Sequence, residues 1–210
     1  AQPDPLRHAA KSPPFHSGLL ATYRNGPVSS NVRPQKTMLL PRDEALRFIE
    51  GYKSVLLKAL DLVGIEHTSS IISDLAKARK EILSHSSLLE RSISELSTIG
   101  KSIDSDVLLA IRSINVSQWV FLRHTKTAAI FLDKEVQSAF AVKALTTPMN
   151  QVVDAVPSMF TAGVFRHMGH FVCDGIIENP VILGPGYKAQ FNAAYSIIRK
   201  SGHYYAKPEA

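Results

Sequence analysis

The apolar pattern of this chain changes period once, near Ser117, and that change constrains the fold more than any other feature. Before it, Ala45, Phe48, Tyr52, Val55, Ala59 and Val63 recur at helical spacing. Pro41, Asp43 and Glu44 suit a helix start, and Gly64 suits a stop. A second stripe passes through Ile72, Leu75, Ala78, Ile82, His85, Leu89 and Leu96, with Ile93 beside it. It is bounded by the capping run Thr68-Ser69-Ser70 and by Gly100. The pattern predicts one amphipathic helix of up to about seven turns, with a bend at Ser84-His85-Ser86-Ser87, lying antiparallel to the first. A third, shorter helix comes after Asp104 and runs through Val107 to Ile114.

Beyond Ser117 the runs shorten. Trp119-Val120-Phe121-Leu122, Ala128-Ala129-Ile130-Phe131-Leu132 and Ala139-Phe140-Ala141-Val142 are separated by His124-Thr125-Lys126 and Asp133-Lys134-Glu135. Short runs rich in β-branched and aromatic residues predict an antiparallel meander. The competing reading is one helix over 127–145, where Ala, Leu, Lys and Gln are frequent; strands are preferred. A short helix is expected over 148–156, a strand over 170–177, a turn at Asn179-Pro180 and a strand over 181–183. Gly184-Pro185-Gly186 breaks the chain before a last helix over 187–201, with Phe191, Ala194, Tyr195 and Ile198 on one face and Gly202 closing it. The fold class is therefore α+β. A helical segment, 41–116, holds the helix pair and the short helix. An α+β segment, 117–203, holds a small antiparallel sheet and a terminal helix. Residues 204–210 form a tail.

Residues 1–40 differ from both. They carry Arg7, Lys11, Arg24, Arg33 and Lys36 against Asp4 alone, a net +4 of the chain's +6. They also hold six of its twelve prolines, Pro3, Pro5, Pro13, Pro14, Pro27 and Pro34. Such a segment can propagate neither helix nor sheet and offers little apolar surface against chain entropy. It reads as a basic, extended arm. Setting it aside leaves 19 basic against 17 acidic side chains in 41–210, from totals of 24 and 18 less the arm's five and one. That near balance argues against a body with its own nucleic-acid stripe.

One cysteine, Cys173, excludes an internal disulfide framework and any CxxC knuckle. No stretch approaches the roughly 20 apolar residues that span a bilayer, and no apolar signal core stands near the start. The chain opens on Ala1, which is read as removal of an initiator Met or of a targeting segment. The arm is rich in Arg, Ser and His and poor in acids. That composition is compatible with a segment exposed by cleavage of a mitochondrial presequence; the cytoplasm is the alternative.

No sequence motif defines a reaction. GxSxG, HExxH, GxGxxG and calcium-loop patterns are absent. His167-x-x-His170 has metal-like spacing, but within one strand residues three apart face opposite ways, so no site is expected there. The same geometry separates Cys173 from His170 and leaves the thiol as a small core hydrophobe. Gly184-Pro185-Gly186-Tyr187-Lys188 lacks phosphate-loop spacing and reads as a tight turn.

The expectation is a non-catalytic structural or accessory subunit of a larger assembly, without cofactor or metal, most specifically in a mitochondrial respiratory-chain or ATP synthase complex. Its partners would be other protein subunits. They would be held by Arg7, Lys11, Arg24, Arg33 and Lys36 of the arm and by Tyr204 and Tyr205 of the tail, whose rings are large and amphipathic. The alternative is an RNA- or DNA-binding protein of ribosomal type that uses the arm.

Overall fold

The computed structural model describes residues 38–153 and 155–209, and the five basic residues of the arm lie outside them. The class is α+β, with six helices and a mixed sheet among the described residues. Among the described residues no helix is long and apolar enough to cross a membrane.

Helix α1, Arg42–Val63, starts at Pro41 and has Asp43 and Glu44 in its first turn. Gly64 ends it in the left-handed region, at φ 71°, where a side chain would be strained. Its buried face is Ala45, Phe48, Tyr52, Val55, Leu56, Ala59 and Leu60; Val63, the expected last member, is exposed.

The second stripe is two helices, α2 (Ile71–Ser84) and α3 (Leu88–Thr98). At the expected bend His85 turns extended, and Leu88 N–H donates to His85 O. Ser and His have weak helix propensity and compete for backbone partners, so the ladder stops instead of bending. The interruption also shifts the phase. Leu88, Ser92 and Leu96 form the buried row of α3, and His85, expected on the apolar stripe, is exposed. Both helices pack on α1. Helix α4, Ser105–Arg112, completes the layer.

The strands come next: β1 (Asn115–His124), β2 (Ala129–Asp133) and β3 (Ala139–Lys143), so the stretch over 127–145 holds two strands and no helix. After the short helix α5 (Met149–Val152) come β4 (Ser158–His167), β5 (His170–Cys173) and β6 (Glu178–Ile182). Helix α6 (Pro185–Lys200) and the two-residue β7 (Tyr204–Tyr205) end the fold.

The expected meander is only part of the sheet. β1–β2, β2–β3, β5–β4 and β4–β1 pair antiparallel, and β3 pairs parallel with β5. These pairings close a five-stranded barrel in the order β1-β2-β3-β5-β4-β1. With its helix between β3 and β4, this is the strand order of OB-type barrels. β6 attaches to β4 beyond β5, and β7 pairs parallel with β3.

Strand periodicity divides the apolar residues among three clusters. Trp119, Phe121, Phe131, Phe160, Val164, Phe171 and Cys173 fill the barrel, joined by Met149 of α5. Val120, Leu122, Ile130 and Leu132 face outward beneath Tyr195 and Ile198 of α6. Phe165 and Val172 face outward beneath Phe48, Tyr52 and Leu56 of α1. Phe48 and Phe165 stack with centroids 4.0 Å apart. Both faces of these strands are therefore buried. Met38–Leu40, grouped with the arm on sequence grounds, belong to this body: Leu40 N–H donates to Ala144 O, Ala144 N–H donates to Met38 O, and Leu40 is buried.

Candidate functional site

Two charged clusters lie where the helical layer meets the barrel. The first is buried. Arg79 of α2 donates from Nη1 to Asp174 Oδ2 at 2.7 Å and to Ile176 O at 3.0 Å, and from Nη2 to Glu178. Asp174 Oδ1 accepts from the backbone N–H of Gly163 and of Ile176, both at 3.1 Å. Burial pushes the Asp174 carboxyl up to about 6, while Arg79 and the two backbone donors oppose the rise. Burial, with Asp174 nearby, also holds the Tyr52 hydroxyl well above its ordinary value. Arg79 Nε is buried without a partner. The arrangement joins α2 to the barrel through Asp174, the Ile176 carbonyl and Glu178.

The second cluster lies at the starts of α1 and α4. Arg47 of α1 pairs with Glu44 one turn back, with Asp104 at the N-cap of α4 at 2.9 Å, and with Asp106 in the first turn of α4 at 2.9 Å. The Glu44 carboxylate leads the causes that raise the guanidinium above its ordinary pKa. His167, the last residue of β4, reaches this group from below. Its Nε2 is 3.7 Å from Glu44 Oε2, buried and without a hydrogen-bond partner. Phe48 and Phe165 flank its ring. Glu44, Asp106 and His167 each bring a ligand-type atom within 4.8 Å of the other two.

This placement corrects the expectation for His167 and His170. They do not share one strand. Met168 and Gly169, at φ 50° and 69°, form a two-residue hairpin that sets His167 directly across from His170. Residues directly opposite share a face, so divergence is no reason to exclude a metal site at His167. Its neighbours of interest come from α1 and α4, and no local spacing could have revealed them. His170 is not among the three. Burial, Lys143 and Lys207 lower its pKa.

Cys173 lies inside the barrel, where burial pushes the thiol up to about 12. Lys188 stands exposed in the first turn of α6. Tyr204 and Tyr205 are not a loose tail. Tyr205 stacks on Phe140 at 5.2 Å, Tyr204 meets Tyr195 edge-on at 5.9 Å, and Arg199 lies over Tyr204 at 5.6 Å. Each ring keeps only part of its surface for a partner.

The chain matches no protein-family model, no curated protein and no solved structure. The OB-type strand order therefore rests on the pairings alone.

Proposed function

We propose that this protein is a non-catalytic accessory subunit that docks to other protein subunits of a larger assembly. The observation that carries this reading is the contrast between a filled barrel and the open edge at β6. Aromatic side chains fill the barrel interior, and α1 and α6 cover its two outer faces. β6 pairs only with β4 among the described strands and exposes Val181 and Ile182, Ile182 by 68%. An open, apolar strand edge favours addition of a strand from another chain. Pro180 within β6 limits that edge to a short segment. The further expectation of a mitochondrial respiratory or ATP synthase complex rests on the arm's composition.

The second reading, RNA or DNA binding, draws on the arm's five cations and on the OB-type strand order. Against it, the β2–β3 face on which such barrels take oligonucleotides lies under α6, and fold alone does not define function. Native-mass separation of cell extract, with cross-linking of the separated species, tests both. The accessory reading expects a high-mass assembly with cross-links to 178–182, and Ile182→Glu should release the protein from it. Migration at the mass of one chain, together with salt-sensitive binding of mixed RNA and DNA, would reverse the preference.

A further inference from the structure

We infer that Glu44, Asp106 and His167 form a binding site for one divalent transition-metal ion, with Zn2+ the best fit. The three side chains come from α1, α4 and β4, so they converge only in the folded body. Their donor set is one imidazole nitrogen and two carboxylate oxygens, which Zn2+ accepts without a strong geometric demand. Bonds of about 2.0–2.2 Å in a tetrahedral site place neighbouring donors about 3.4 Å apart. His167 Nε2 and Glu44 Oε2 already stand at 3.7 Å, and all three donors lie within 4.8 Å. Rotation of two carboxylates, both partly exposed, closes the remainder.

The histidine separates this cluster from an ordinary group of helix-start acids. His167 is 94% buried, from a relative exposure of 6%, and its Nε2 points toward Glu44 with no hydrogen-bond partner. A buried polar atom left unpaired is costly, and a metal ion would satisfy it. Charge points the same way. Glu44, Asp104 and Asp106 carry three negative charges, and Arg47 pairs with all three. Arg47 Nη2 bridges Glu44 and Asp106, the place where a cation would stand. Its Nη1 is already on Asp104, and its side chain is 41% exposed, so it can retain Asp104 while Nη2 leaves the other two. The guanidinium thus acts as an internal competitor for the metal. The fourth position is open to water or to a partner's side chain. Occupied, the site would clamp the helical layer to the end of β4.

Titration of the metal-free protein with Zn2+ by calorimetry, checked by elemental analysis after dialysis, tests the site. One ion per chain is expected. Glu44→Gln and Asp106→Asn should each weaken binding at least about tenfold, the scale set even by losses outside the ligand set. Both change partly exposed side chains, so their metal-free melting curves should stay close to that of the unaltered protein. His167→Gln should weaken binding similarly, and the two carboxylate variants decide the matter if it unfolds. Arg47→Met should tighten binding. Absence of one-to-one uptake, equal affinity in E44Q and D106N, or weaker binding by R47M would overturn the inference.

Discussion

Arg79 Nη1 lies 2.7 Å from Asp174 Oδ2, across 95 positions of sequence, and neither side chain has appreciable contact with water. The pair ties α2 to the turn after β5, and Glu178 at the start of β6 completes it. Removing one partner leaves a buried charge without compensation. Arg79→Met is therefore expected to destabilise the fold by about 3–5 kcal/mol. The double variant R79M/D174N removes both charges and should recover a large part of that loss. Urea unfolding of R79M, D174N and the double variant checks this. A cost below about 1 kcal/mol for R79M would mean that the network does not hold the halves together.

Gly163 makes the close approach to Asp174 possible. A Cβ at position 163 would meet Asp174 Oδ2 at 2.4 Å and Ile114 Cγ2 at 2.8 Å, both inside contact distance. The backbone of Gly163 also donates to Asp174 Oδ1 and accepts from Asp174 N–H. Gly163→Ala must displace the carboxylate or bend β4, at an expected cost of about 1–3 kcal/mol. Thermal unfolding measures it, and the loss should be smaller in the Asp174→Asn background if displacement of the buried charge is its source.

These two residues also show where sequence reasoning stops. The helices are legible because α1 buries one face, giving a clean period through Phe48, Tyr52 and Val55. Strands β1 to β3 are legible as dense apolar runs, because both of their faces are buried. β4 is not, although it is the strand paired with β1, β5 and β6. At its centre Ala162 and Gly163 have little strand character, and Gly163 is there for the approach of Asp174. Without β4, His167 and His170 read as one strand, and barrel closure is invisible. The cluster of Glu44, Asp106 and His167 depends on three distant segments, so only the stretch around His167 carries any signal.

Two aspartates should give opposite pH responses. Asp74 accepts from Thr68 Oγ1 at 2.7 Å and from Thr68 N–H, and the Thr68 hydroxyl leads the causes that lower its pKa below 3.8. Its stabilising contribution is therefore present above 3.8 and lost as pH falls through the depressed folded value. For Asp174 burial raises the folded value from 3.8 to about 6, so folding favours the protonated form. That contribution is fully present below 3.8 and lost as pH rises to about 6, by up to about 3 kcal/mol. Melting temperatures of D74N and D174N across this range check both signs. D74N should flatten the acid limb, and D174N should remove a decline between about 4 and 6.

The end of the arm is set by three backbone positions. Met38 O accepts from Ala144 N–H, Leu40 N–H donates to Ala144 O, and Leu40 packs in the cluster with Phe48 and Leu145. A chain beginning at residue 38 keeps all of these and is expected to retain a cooperative transition with an unchanged denaturant slope. A chain beginning at residue 41 loses the buried Leu40 side chain and two backbone hydrogen bonds, at an expected cost of about 2–4 kcal/mol. Comparing the two truncations separates what the body needs for folding from what the arm contributes to docking. If the chain from residue 38 is as stable as the full chain but leaves its high-mass assembly, the arm serves binding. If it loses its cooperative transition, residues before 38 belong to the folding unit, and the proposed division of roles between arm and body fails.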